Sequence, residues 1–224
     1  MQPRSCPMCG ETAGETVLEL EADEFCRTNW TYARDFRAIL CLPARATFAI
    51  RRCSRCRFVH AALRPDDAFL VTLYDRVISD AECVTGSENT ESYARRLRYV
   101  AELIELAPPG RALDYGSGLG VTLRVLAACR VPAVGFDPSA VRQRYSGAND
   151  AHVTGDWDAV TRQAPYSMVV LDNVLEHLPE PVAVVEHLGQ LAAPGAIAYA
   201  SVPPYEVAFS PARSTRTAVA PRST

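Results

Sequence analysis

The sequence contains no lysine: all 23 of its basic residues are arginine. We read that absence as the coding bias of a GC-rich genome rather than as chemistry. An excess of charge is missing too. With 26 acids against those arginines the formal charge is −3, so there is no basic field to gather nucleic acid. No apolar run approaches the ~18 residues of a membrane span. The polar start MQPRSCPMCG lacks the apolar stretch of a signal peptide, so the expected compartment is the cytoplasm, with no membrane partner. What remains is ordinary for a globular chain, 48% hydrophobic and 22% charged. A length of 224 residues suffices for one sizeable core and a small appended module.

Cysteine is not scarce. The chain has eight, many for a reducing compartment where disulfides seldom persist. Four of them form two CxxC knuckles, Cys6-Pro-Met-Cys9 and Cys53-Ser-Arg-Cys56. Two knuckles aim four sulfurs at one point, the tetrahedral set of a closed structural zinc site. The alternatives are four unligated thiols or one redox-active pair. Forty-three residues separate the pairs, so a loop or hairpin is expected between them. Arg4, Arg51, Arg52, Arg55 and Arg57 flank the knuckles and would offset the negative charge of a tetrathiolate. Cys26, Cys41, Cys83 and Cys129 are expected to be small buried hydrophobes. Residues 1–75 thus read as a zinc-ribbon-like module, and 76–90 as a connector.

From Glu91 the pattern changes. Apolar residues at Tyr93, Leu97, Val100, Ala101, Ile104 and Leu106 mark an amphipathic helix, stopped by Pro108-Pro109-Gly110. Strands and helices then alternate: strand 112–115, helix 119–130, strand 133–137, helix 138–145 opening at Pro138, strand 151–154, strand 167–172, helix 180–191 and strand 196–202 after a Pro194-Gly195 turn. That alternation predicts an α/β fold with a mostly parallel, Rossmann-like sheet. The strand 167–172, apolar along its length up to Asp172, is expected between two helical layers.

The organising stretch is RALDYGSGLG, 111–120, with its partner AVGFDPS, 133–139. A strand running into glycines at 116, 118 and 120, then a helix, then a strand ending in an acid, is the grammar of a nucleotide-type site. The spacing is GxGxG rather than GxGxxG, and Asp114 stands two residues before the first glycine. A carboxylate there would repel a pyrophosphate and welcome a cationic amino group, which disfavours an NAD-dependent oxidoreductase.

DYGSGLG, GFDPS, GDW and VVLDNVLEHL resemble, in order and spacing, the motifs of class I S-adenosylmethionine (SAM)-dependent methyltransferases. The resemblance covers about residues 91–204, and with the two knuckles the chain is similar to sugar C-methyltransferase-like proteins. It implies a SAM-binding domain over 91–205. It further implies that Asp114, Gly116, Ser117 and Gly118 hold the methionine end, and that Asp137 accepts both ribose hydroxyls. Asp156 would receive the adenine amino group with Trp157 beside the ring, and Asp172 and Asn173 would line the methionine moiety. Glu176-His177 carries two readings. His177 is a general base beside the acceptor, or the pair only orients the loop after the fourth strand. His152 and His187 read as structural.

After Val202-Pro203-Pro204-Tyr205 the apolar periodicity ends, and 206–224 is expected to be disordered. The resemblance implies two further strands there, so the expectation is a truncated or frame-shifted C-terminus with an exposed sheet edge open to association. The expected function is SAM-dependent methyl transfer to a small-molecule acceptor, such as a sugar nucleotide or natural-product intermediate. The alternative is a catalytically impaired remnant acting as a SAM- and zinc-binding or interaction module.

Overall fold

The computed structural model describes residues 2–24, 36–43, 45–77, 88–148 and 151–202. The chain divides into two compact units, 1–79 with 203–224, and 80–202. Most of the expected connector, the expected disordered tail, Cys26 and Cys83 lie outside the described residues.

The first unit carries β1 (Gln2–Pro3), β2 (Gly14–Glu21), α1 (Phe36–Ile39), β3 (Thr47–Cys53), β4 (Val59–Ala61), β5 (Leu63–Arg64) and α2 (Asp67–Thr72). Strands β2, β3 and β4 form an antiparallel sheet in that order, while β1 pairs with β5. The register sets Gly14 opposite Cys53 and Glu21 opposite Thr47. The long spacer between the knuckles is therefore mostly the two arms of a ribbon and what joins them.

The second unit runs α3 (Thr90–Leu106), β6 (Ala112–Tyr115), α4 (Val121–Ala128), β7 (Ala133–Phe136), α5 (Ala140–Ala148), β8 (Val153–Thr154), α6 (Trp157–Thr161), β9 (Tyr166–Asp172), a 3-10 turn at Leu175–His177, α7 (Pro181–Gln190) and β10 (Ala192–Ser201). All four pairings in the sheet β10-β9-β6-β7-β8 are parallel. Taken in order of appearance the strands stand 5-4-1-2-3, the Rossmann arrangement, whose direction of growth reverses between β6 and β9. A ligand crevice belongs outside the carboxyl ends of those two strands.

The sheet is covered on both faces, which is why β9 is apolar on both. Ala112, Met168 and Val170 pack with Tyr99, Val100 and Leu103 of α3 and with Leu123 and Leu126 of α4. Leu113, Val134, Val169 and Leu171 pack with Leu188 and Leu191 on the other side. Asn89 caps α3, its Oδ1 accepting from Ser92 N at 2.8 Å.

Three expectations need correction. Helix α5 starts at Ala140, not Pro138: the Ser139 hydroxyl accepts from Arg142 N at 3.3 Å, a capping bond that leaves Pro138 outside. Pro194-Gly195 does not precede the last strand but lies inside it, where the register with β9 slips between Ala192 and Ile197. Gly195 has φ +77°, so the two residues make an irregularity that the strand passes through. Cys41 is exposed, at a turn with φ 52°.

Candidate functional site

The register places the polar ends of three strands on one face. Asp114 pairs with Val170 across β6 and β9, and Val170 with Tyr199 across β9 and β10, with Asp172 opposite Ser201 one step further. Residues two apart share a face. Toward the carboxyl edge that face therefore turns from Ala112 to Asp114, from Met168 and Val170 to Asp172, and from Ile197 and Tyr199 to Ser201. Helix α3 covers it, and its N-terminal turns bring Ser92, Arg95 and Arg96 to the same polar row.

The two acids of the row have opposite environments. Asp114 is 2% exposed, and its Oδ2, like Ser117 Oγ, is buried with no hydrogen-bond partner. Burial pushes its carboxyl up to about 7, with Arg96 opposing and Asp172 and Asp137 adding to the rise. Asp172 is saturated: Arg95 donates from Nη1 at 2.7 Å and Nη2 at 3.0 Å. Arg96 Nη2 stands 3.3 Å away, Ser201 Oγ donates at 2.6 Å and Asn173 Nδ2 at 3.3 Å. Burial raises the Asp172 carboxyl, but these donors outweigh it and hold the group below the usual range.

The glycine turn lies between β6 and α4 and is stitched to β7. Gly116 N and Ser117 N donate to Phe136 O at 2.8 and 3.0 Å. Asp137, 4% exposed, accepts Gly118 N on Oδ2 and Ser139 N on Oδ1, both at 2.9 Å. Ser146 Oγ and Arg124 Nη1 hold the carbonyls of Gly118 and Leu119 at 3.1 and 3.0 Å. Gly116 has φ +72°, and a Cβ there would meet Val174 at 2.6 Å. Gly118 has φ +54° with nothing within 4 Å of a Cβ. Gly116 thus closes packing, while Gly118 leaves its face open to a ligand.

The remaining predicted residues sit around this centre. Asp156 is exposed and caps α6, accepting from Ala159 N at 3.1 Å, with Arg162 3.6 Å away. Trp157 packs edge-on against Phe136 at 5.0 Å and Tyr115 at 5.7 Å. Its other neighbour is His187, with ring centroids 5.3 Å apart. Asn173 takes a left-handed conformation, φ 56°, and its N–H donates to Ser201 O at 3.0 Å. His177 Nε2 stands 3.8 Å from Glu176 Oε1, with the imidazole side chain 54% exposed. Partial desolvation and the Arg142 guanidinium hold His177 below the ordinary imidazole value. Burial raises Glu176.

In the first unit the four knuckle sulfurs lie within 4.8 Å of one another, with Cys6–Cys56 at 3.5 Å and Cys9–Cys53 at 3.6 Å. A tetrahedral zinc with Zn–S of ~2.3 Å sets its sulfurs about 3.8 Å apart, so the donor set fits. The knuckles repeat one hydrogen-bond pattern. Cys6 N donates to Glu11 O and Gly10 N to Cys6 O, as Cys53 N does to Phe58 O and Arg57 N to Cys53 O. Both end in a left-handed residue, Gly10 at φ 74° and Arg57 at φ 64°. The Cys56 N–H leads in drawing the Cys53 thiol down to about 6. Cys56, despite the Phe58 N–H, is pushed up to about 12 by desolvation and three neighbouring sulfurs. Glu15 takes up Arg52 at 2.9 Å and Arg57 at 3.5 Å, so two of the flanking arginines are already paired with a carboxylate.

A family model described as a methyltransferase domain matches residues 87–218, more than half of the chain. The chain belongs to that family. Among solved structures it is similar to DesVI of Streptomyces venezuelae at 19% identity, covering 54% of this chain and 55% of that one with a TM-score of 0.45. The plantazolicin methyltransferase BpumL in complex with SAH aligns at 14% identity over 55% and 53%, TM-score 0.45. An S-adenosylmethionine-dependent methyltransferase from Clostridium acetobutylicum ATCC 824 aligns at 9% over 51% and 52%, TM-score 0.44. The chain spans about half the length of these structures. No curated protein matches the sequence.

Sequence reasoning missed several groups in this methyltransferase domain. Arg95, Arg96 and Ser201 meet Asp172 from elements far apart in the chain. Arg124 joins Tyr93 Oη at 3.0 Å and Glu88, and Tyr145 Oη donates to Glu88 at 3.0 Å. Arg142 Nη1 stands 3.7 Å from Asp137. The only advance signal for the first two was the doubled arginine on the helix that precedes the glycine turn.

Proposed function

We propose that the chain is a class I SAM-dependent methyltransferase acting on a small-molecule acceptor, with a sugar nucleotide or natural-product intermediate as the preferred class. The observation that carries the proposal is the buried Asp114 carboxylate, one oxygen of which has no hydrogen-bond partner, beside a three-glycine turn at the switch point of a sheet in a methyltransferase-domain chain. A cationic amino group fits that orphaned oxygen, and the open face of Gly118 admits a ligand without a clash.

SAM, when bound, supplies an electrophilic methyl group on a sulfonium. The chain's own residues do the rest. Asp114, Ser117 and Gly118 would receive the methionine end, with Asp172 and Asn173 lining it. Asp137 would accept the ribose hydroxyls. Asp156 and Trp157 would border the adenine. Positioning for in-line displacement supplies most of the acceleration. His177, with Glu176 beside it, would take the acceptor's proton where the acceptor has one to lose. Cys6, Cys9, Cys53 and Cys56 would bind one structural zinc, closed to water.

The rival reading is an interaction module that binds SAM without transferring its methyl. It draws on β10, whose outer edge pairs with no strand among the described residues. Incubation of the full chain with methyl-labelled SAM and a panel of sugar nucleotides and small natural products separates the two. Label in any acceptor supports the enzyme. SAM binding with no transfer across the panel favours the module.

A further inference from the structure

Helix α3 spends only part of its surface on the sheet. Tyr99, Val100 and Leu103 pack into the core, and Arg95 and Arg96 reach Asp172. A second stripe, Ala94, Leu97, Ala101 and Ile104, recurs at i, i+3, i+7 and i+10 and stays out of that core. All four residues are exposed, Leu97 at 51% and Ile104 at 38%. Their spacing is that of the a and d positions in a seam between two helices. An exposed apolar row rimmed by charge marks an interaction surface, and Ala101 at its centre is small enough for a second helix to cross closely.

The charges beside the stripe indicate what covers it. Arg98 and Glu105 lie two helical turns apart on one flank, on either side of the central Ala101. Neither makes an ion pair among the described residues. We propose that the stripe is the seam of a homodimer, with α3 of a second copy laid antiparallel across it on a two-fold axis at Ala101. Such an axis brings like flanks together. Arg98 of each copy then stands level, to within one residue, with Glu105 of the other, so the ion pair forms twice. Leu97 of each copy meets Ile104 of the other across the seam. Rim pairs of this kind set direction and partner choice more than affinity. Helix α3 has 17 residues, a length of ~25 Å, and one helix pair buries less than the ~1,600 Å² of a standard interface. The dimer is therefore expected in the micromolar range.

Sedimentation equilibrium of the full chain from about 1 to about 200 μM is the test. The wild-type mass should rise from one chain toward two across that range. Leu97→Glu, at an exposed position, should hold it at one chain throughout. Arg98→Glu and Glu105→Arg should each weaken the dimer roughly threefold to thirtyfold, because each turns two rim attractions into repulsions. An equimolar mixture of those two variants should regain wild-type association, since their reversed flanks complement each other. A chain that stays monomeric at every concentration overturns the inference and leaves the stripe to a different protein. A dimer that survives Leu97→Glu overturns it by placing the contact on another surface, such as the β10 edge. A mixture that stays as weak as its two components overturns the antiparallel pairing. None of these results bears on the proposed function, which is tested by methyl transfer.

Discussion

Asp114 and Asp172 lie on the same face of the parallel sheet, yet only Asp172 has its carboxylate satisfied. Each sits at the carboxyl end of a strand flanking the switch point, on the side covered by α3. One is charged and braced, while the other is buried and drawn toward neutrality.

That difference has a pH signature. The folded Asp114 carboxyl titrates near 7, whereas an unfolded aspartate titrates near 4. Between those values the native state binds more protons than the unfolded state, so this group makes stability fall as pH rises from about 4 to about 7, then level. Asp114→Asn removes the dependence. The variant should be more stable than wild type at pH 8, on the order of 4 kcal/mol, and nearly equal at pH 4, measured by urea unfolding at both.

Asp137 ties the glycine turn to β7 and α5 through two backbone N–H groups. Asp137→Ala leaves both N–H groups without that acceptor, and a loss of about 1–3 kcal/mol follows. SAM affinity should fall with it. Asp137→Glu, which keeps the charge but lengthens the arm, should recover less than half of the binding free energy. A calorimetric titration showing unchanged affinity for Asp137→Ala would refute the assignment.

The knuckles predict one zinc per chain by metal analysis. Zinc should be lost in Cys53→Ser and by chelation, and the thermal transition of the first unit should fall with it. Arg57 holds a left-handed conformation that its counterpart Gly10 reaches without strain. Arg57→Gly should therefore raise stability or leave it unchanged, while Gly10→Ala should lower it by about 1–2 kcal/mol. Less than half an equivalent of zinc in freshly purified wild type would contradict the module.

For His177 the depressed pKa sets the direction. A base that is already neutral at pH 7 gives a rate that stays flat from neutrality upward and falls only below the ordinary imidazole value. Arg142→Gln removes one cause of the depression, so the fall should move to higher pH. If His177→Gln leaves the pH profile of kcat/KM untouched, the pair only shapes the loop.

Much of this was legible in the sequence because its signals were local. The runs 112–115 and 133–136 are short, apolar and bounded by glycine, proline or acid, so strand, turn and partner could be read together. Helix α6 was missed because five residues show no periodicity, and GDW concealed an Asp156 helix cap. Pro194-Gly195 is a common turn pair, and only the register with β9 shows that the strand continues through it. The pairing of Arg95 with Asp172 spans 77 residues. No pattern along the chain announces it; the sheet register and the direction of α3 create it.

The central claim is that the cradle at Asp114, Gly118 and Asp137 takes SAM. Its most direct test is titration calorimetry of the full-length chain with SAM and, separately, with NAD at pH 8. Saturable SAM binding near one equivalent, lost in Asp137→Ala, with no heat from NAD, is the predicted result. Binding of NAD in place of SAM, or of neither, would contradict the account.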